Sequence, residues 1–235
     1  MIKINKLKKN YENKKIFNDF NMNIEPNSIT CILGPSGVGK TTLFNIISGL
    51  TDFESGEIEG IDKKDISYLF QEPRLIPWLS VYENIEIILK NVYLEKKRRE
   101  VINYYLKIVD LEDCANQKPK ELSGGMKQRL SIARTFAYPS TLLLMDEPFQ
   151  GLDIKLKNII IESFLKLWKE DNRTVIFITH DIDEALKIAD QIYIIQDNPV
   201  KISQVEHIVD DHSSRDIFSS KYLKIREKIT KILSD

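Results

Sequence analysis

The stretch "GPSGVGKTT" at residues 34–42 constrains this chain more than any other feature. It stands between "SITCILG", a short apolar run rich in β-branched residues, and "TTLFNIISGL", in which Leu43, Ile46, Ile47 and Leu50 recur at helical spacing. Strand, glycine-rich loop and helix follow one another in that order. Gly34, Gly37 and Gly39 let the backbone take conformations that side chains forbid and let it approach a ligand closely. Successive N–H groups then point into one concavity at a helix N-terminus, where the helix dipole favours an anion. Lys40 can reach outer phosphates and the Thr41 hydroxyl can ligate Mg²⁺. Gly34, Pro35, Ser36, Gly37, Val38 and Gly39, with Lys40, Thr41 and Thr42 opening the helix, therefore form a candidate cradle for a nucleoside triphosphate.

A metal and an attacking water need further groups. "TLLLMDE" reads as a buried strand ending in Asp146 and Glu147. Adjacent strand residues point to opposite sides, but where a strand ends the chain turns and both can serve one site. Asp146 suits Mg²⁺ coordination through water, and Glu147 suits polarisation of the attacking water. In "ELSGGMKQR", Ser123, Gly124 and Gly125 open a helix with a hydroxyl and exposed N–H groups, a second phosphate-binding start. One cradled triphosphate leaves no use for a second anion site in the same chain. The economical arrangement has this site complete the pocket of a second copy.

Around these motifs the chain reads as α/β. "TLLLMDE" and "TVIFITH" flank the helical stretch "KLKNIIIESFLKLWKED", a βαβ unit with an expected right-handed crossover. "GEIEG" and "DISYLF" read as further strands, and "QIYIIQD" with "VKISQVEHI" as an edge hairpin. "SSRDIFSSKYLKIREKITKILSD" reads as a closing helix capped by Asp216 or a nearby serine. From Glu72 to about Pro139 the character turns helical, as an insertion would. At 235 residues, 42% hydrophobic and 29% charged, the chain reads as soluble and globular. Its formal net charge of -1 gives no general attraction to nucleic acid, and no apolar run approaches the ~20 residues of a membrane span. Cys31 and Cys114 lie far apart and suit neither a disulfide nor a zinc site. Trp168 is expected in the core, and His207 and His212 on the surface.

"GPSGVGKT", "LSGGM", "TLLLMDEP" and the "TH" at 179–180, in that order and spacing, resemble the ATP-binding-cassette ATPases over nearly the whole chain. The resemblance implies an ATP hydrolase with a phosphate-loop core of mainly parallel sheet, an antiparallel β subdomain and a helical subdomain inserted at approximately 72–139 of a single domain. It also implies a head-to-tail homodimer holding two ATP between one copy's loop and the other's "LSGGM" helix. By the same resemblance Tyr11 stacks on adenine, and Gln71 contacts Mg²⁺ and the attacking water. His180 contacts the γ-phosphate, and Asp153 of "GLD" lies in a loop that crosses the dimer interface. "FQEPRLIPWLSVYENI", "LSGGMKQR" and "THDIDEAL" together look like importer ATPases for nitrate, alkanesulfonate, taurine and related small solutes. Such importers pair the ATPases with membrane permeases, fed by an extracytoplasmic solute-binding protein. That places the chain at the cytoplasmic face of the membrane, without nucleic acid. The chain departs from the family at "QGLD", where Gln150 and Gly151 replace the usual "GA", and it leaves little room for a C-terminal regulatory domain. Soluble cassette ATPases of translation or DNA maintenance are the alternative. They usually carry two cassettes, a long coiled coil or zinc modules, none of which is legible here. A small-molecule kinase would leave "LSGGM" unexplained.

Overall fold

The structure, a computed structural model, describes residues 1–12, 14–171 and 173–234. The chain opens with two Lys- and Asn-rich segments that pair antiparallel, β1 (Ile2–Tyr11) and β2 (Lys14–Ile24). The buried strand β3 (Ile29–Leu33) then leads through the glycine loop into α1 (Lys40–Ile47). β4 (Ser55–Glu59) returns to pair with β1, so "GEIEG" belongs to a three-stranded antiparallel sheet of order β2-β1-β4. β5 (Ile66–Leu69) starts the second sheet. Three helices follow it: α2 (Val81–Leu89), α3 (Glu95–Ile108) and α4 (Gly124–Ala137). Then come β6 (Leu142–Asp146), α5 (Ile154–Asp171), β7 (Thr174–Thr179), α6 (Ile182–Ile188), the hairpin of β8 (Gln191–Gln196) and β9 (Lys201–His207), and α7 (Ser220–Ser234).

The large sheet has the order β5-β6-β7-β3-β8-β9, parallel throughout except for the last pair. β3, β6 and β7 are buried along their whole length because both faces of the sheet are covered. Their side chains alternate between the two covers. Val175 and Phe177 face a cluster with Phe164, Trp168 and Ile229 of α5 and α7. Ile176 and Ile178 face a cluster with Phe44 of α1 and with Ile4, Phe17 and Phe20 of the antiparallel sheet. α2, α3 and α4 hold a third cluster of their own, built on Val81, Ile85, Ile102, Leu106 and Leu130. Ser80 and Glu83 start α2 with a reciprocal capping box. The longest of the three helices has 14 residues, too short for a protruding coiled coil.

One expectation narrows to one of its alternatives and another changes. Asp216 caps the turn before α7, accepting from the Phe218 N–H, while the Ser219 carbonyl receives the helix's bond from Leu223. His212 is not a surface residue. Its side chain is 6% exposed, its Nε2 lies 2.8 Å from Ile188 O and 3.2 Å from Asp190 Oδ1, and its ring meets Trp168 edge-on. The turn at 211–214 folds back onto α5, a contact that no local pattern announces. Trp168 is buried as expected, with Nε1 donating to Arg173 O at 2.8 Å. Among the described residues no helix is long and apolar enough to cross a membrane.

Candidate functional site

β3 lies between β7 and β8, so the loop it feeds emerges at the middle of the sheet's C-terminal edge. Gly34 is needed there for space, not for an unusual backbone: a Cβ would sit 2.5 Å from Ile195 O of β8. Gly37 and Gly39 do take positive φ, +77° and +126°, and a Cβ on Gly39 would press on Ile16 and Val200. Gly39 stands at the N-cap of α1 and offers no side chain to the first-turn N–H groups of Lys40, Thr41 and Thr42. An anion is the natural partner for such donors. Pro35, Ser36 and Gly37 are exposed around the rim, while Val38 packs on the core cluster shared with α1. Lys40 is only 5% exposed, and its Nζ donates to Gly34 O at 2.8 Å and Pro35 O at 2.9 Å. Burial pulls its pKa down, and the nearby Glu147 and Asp146 carboxylates act in the opposite sense.

Asp146 ends β6 beside α1. Its Oδ1 accepts from Thr41 Oγ1 and its Oδ2 from Tyr68 OH, both at 3.4 Å. Glu147 has φ +44° and its N–H donates to Ile178 O on β7. That left-handed residue breaks the strand's alternation, so consecutive carboxylates both stay at the sheet's C-terminal edge. Glu147 Oε2 lies 3.4 Å from His180 Nδ1 and is buried without a hydrogen-bond partner among the described residues. The contact has the distance of an ion pair but not hydrogen-bond geometry, so the oxygen remains an acceptor in want of a proton donor, such as a water.

His180 follows β7 on a short braced turn. Thr179 Oγ1 donates to Glu184 at 2.6 Å and accepts from Asp181 N at 3.0 Å. Lys157 of α5 pairs with Asp181 at 2.9 Å and Glu184 at 2.6 Å. Lys157 and Glu184 escaped the sequence reading, since a lysine and a glutamate on helices carry no local signal of pairing. Tyr68 escaped it too, and Gln150 stood out only as a departure from the family pattern, not as a neighbour of Gln71. Gln71 Nε2 donates to Gln150 Oε1, so the departure at "QGLD" places a second carboxamide directly against Gln71.

Thr41, Gln71 and Asp146 line one cavity of about 500 Å³, together with Tyr68 and Phe70. Hydroxyl, carboxamide and carboxylate are the oxygen donors that Mg²⁺ selects. Among the described residues no group of three or more His, Cys, Asp or Glu could hold an ion unaided. This fits an ion that completes its shell with phosphate oxygens and water. A cavity of about 580 Å³ lies elsewhere, between α3 and the end of α4. Its Arg173 donates to the Tyr138 and Phe136 carbonyls and pairs with Asp171, so most of that guanidinium is engaged by the protein itself.

Other candidates stand apart. Tyr11, at the exposed end of β1, pairs with Lys14 two residues before the Ile16 that touches Gly39, and Lys9 Nζ lies 4.7 Å over its ring. Ser123 caps α4, accepting from Met126 N at 3.3 Å. Ser123 and Gly124 are exposed and share no hydrogen bond with the loop at 34–42 among the described residues. Gly125 is buried against Leu156. Asp153 Oδ1 accepts from Leu156 N at 3.0 Å at the start of α5.

Burial pushes the Asp146 carboxyl up, against the pull of the Thr41 and Tyr68 hydroxyls and despite Lys40. A carboxyl raised in the fold favours folding only while it is protonated, and it costs stability once pH rises through its folded value. Asp146→Asn should therefore melt above the wild type at pH 7 in the ligand-free state, and the gap should narrow as pH falls through the carboxylate range. Thermal denaturation decides this; a lower Tm for the variant at pH 7 would contradict it.

Comparison with known proteins shows the family and the fold. The family model described as "ABC transporter" matches residues 17–150. An uncharacterized ABC transporter ATP-binding protein of Methanocaldococcus jannaschii is 37% identical over 228 residues, covering 94% of this chain and 85% of the relative. The aliphatic sulfonates import ATP-binding protein SsuB of Bacillus cereus is 38% identical over 224 residues, covering 92% and 87%. Among solved structures, a dimeric ATP-binding cassette in a post-hydrolysis state with ADP and Pi superposes with TM-score 0.78 at 32% identity, covering 90% of this chain and 100% of that one. The cbiO1 subunit of an ABC transporter complex from Clostridium perfringens gives TM-score 0.77 at 29% identity, covering 98% and 96%.

Proposed function

The chain belongs to the ABC transporter family as an ATP-binding ATPase subunit, and from that premise we propose that it drives uptake of a small solute by closing and opening as an ATP-loaded homodimer on a pair of membrane permeases. It is one cassette over 1–235 with its helical insertion at approximately 72–139. The observation that carries the catalytic part is Glu147, whose buried Oε2 lacks a hydrogen bond among the described residues and sits 3.4 Å from His180 Nδ1, next to the Thr41–Asp146 pair.

In this reading the N–H groups of 37–42 and the Lys40 ammonium hold the triphosphate, and Tyr11 covers the adenine. Lys40 must exchange the Gly34 and Pro35 carbonyls for phosphate oxygens. Glu147 accepts a proton from the attacking water, and His180 orients Glu147 and contacts the terminal phosphate. Thr41, Asp146 and Gln71 would hold Mg²⁺, Asp146 through water. Bound there, Mg²⁺ neutralises phosphate charge as it develops. Ser123, Gly124 and Gly125 of one copy would cap the nucleotide of the other, with Asp153 beside the interface.

The importer assignment is supported by likeness to sulfonate-import subunits and by the surface after Gln71. Sulfonate, nitrate or taurine-like solutes are the expected cargo class. An extracytoplasmic binding protein would deliver them, and this chain would sit on the cytoplasmic face of the membrane. Trp78 is 72% exposed, in a segment interrupted by prolines that is anchored from behind by Asn84, whose side chain bonds Ile76, Leu79 and Ser80. An exposed tryptophan on a braced loop is a fit anchor for a permease helix. Purification of the tagged chain from its native membrane should recover a permease and, through it, a solute-binding protein. Trp78→Ser should fold and hydrolyse ATP normally yet lose the permease, weakening that contact roughly 30-fold for an anchor worth about 2 kcal/mol. Undiminished recovery of the permease with Trp78→Ser would remove the docking assignment.

A further inference from the structure

We propose that Tyr68 is a positioning residue for Asp146, aiming its carboxylate at the metal and linking that aim to the loop after Gln71. The proposal rests on the reading of Thr41 and Asp146 as the metal side of the site.

Asp146 is 6% exposed, so its two oxygens depend on protein donors. Thr41 of α1 donates to one and Tyr68 of β5 to the other, each at 3.4 Å. Two donors from separate elements, though each contact is long, bias the carboxylate's plane more than one would. The Tyr68 hydroxyl has no freedom to wander, because its ring is held on two sides. Phe70 stacks on it at 4.2 Å and 20°, and Phe44 of α1 meets it edge-on at 5.9 Å and 79°.

The same stack reaches outward. The Arg74 guanidinium lies 3.8 Å from the centre of the Phe70 ring. The backbone at 73–74 is tied to α4: Arg134 donates to Arg74 O at 3.1 Å and Pro73 O at 2.9 Å, and Ser131 Oγ to Pro73 O at 3.2 Å. α4 is the helix that Ser123 and Gly124 open. A shift of α4 or of the 71–74 loop therefore moves Arg74 and Phe70, and with them the hydroxyl that holds Asp146 Oδ2.

Tyr68→Phe keeps the ring and deletes only the hydroxyl. Binding of a fluorescent ATP analogue is measured with Mg²⁺ and again in EDTA, and Mn²⁺ affinity of the nucleotide complex is read by electron paramagnetic resonance. The expected result is a loss of about tenfold or more in the metal-dependent affinity, with EDTA binding within error of wild type even where loss of the hydroxyl lowers the melting temperature. In an Asp146→Asn background the Tyr68→Phe change should add no further loss. Equal loss with and without metal, or unchanged Mn²⁺ affinity, overturns the role of Tyr68. Unchanged Mn²⁺ affinity in Asp146→Asn alone overturns the metal reading beneath it.

Discussion

Glu147→Gln is expected to bind ATP and to hydrolyse it some 10²–10⁴-fold more slowly, the usual worth of a general base. At ~1.36 kcal/mol per decade this is about 2.7–5.4 kcal/mol of barrier. The substitution suits the site because a carboxamide has the same shape. Residue 147 carries a left-handed backbone and a bond to Ile178 O that do not involve the side chain, so local geometry should survive. What goes is the oxygen beside His180, which has no hydrogen bond among the described residues and can take a proton from water. With hydrolysis blocked, ATP should hold the dimer together, and a sizing column should show a shift from monomer to dimer that ADP does not produce. Turnover near the wild-type rate would remove Glu147 from the role of base.

A bulky residue at 124, such as Gly124→Trp, should abolish that dimer and, in an otherwise wild-type chain, reduce hydrolysis by ~10²–10³, the cost of losing transition-state donors. The structure favours Gly124 over its neighbours for this test. A Cβ there meets nothing within 4 Å, so the single copy has room for the side chain. At Gly125 it would strike Leu156 at 2.4 Å, and at Ser123 the change would remove the cap of α4. Any loss at either position would mix folding with function. ATP binding by the Gly124→Trp monomer should stay intact. If the double variant with Glu147→Gln still dimerises on ATP, the start of α4 does not complete a partner's site.

Legibility in the sequence followed the range of the interactions involved. The glycine loop, the apolar strands "SITCILG", "TLLLMDE" and "TVIFITH", and the capped helices are local patterns in which a few neighbouring residues decide the backbone. The mainly parallel α/β architecture was readable from them. β1 and β2 were less so. Lysine and asparagine interrupt their alternation, and only pairing with each other and burial of Ile4, Phe17 and Phe20 on α1 make them strands. His212 misled for the same reason in reverse, being a polar residue in a polar turn that closes onto Trp168 and Asp190.

The sequence by itself determined which chemical groups stand at the candidate site: a bare N–H cradle, one lysine, one threonine, two consecutive carboxylates and a histidine after a strand. Each is announced by neighbours along the chain, because strand, tight turn and helix start are made by consecutive residues. Only the tertiary structure decided how those groups are held. Tyr68 on Asp146, Gln150 on Gln71, Lys157 between Asp181 and Glu184, and Arg134 on the 73–74 backbone join residues from different elements. Their side chains meet because the sheet order β5-β6-β7-β3 stacks the ends of separate strands side by side. Burial then makes each buried polar group require a partner, and adjacency in space does not leave a mark on the order of residues in the chain.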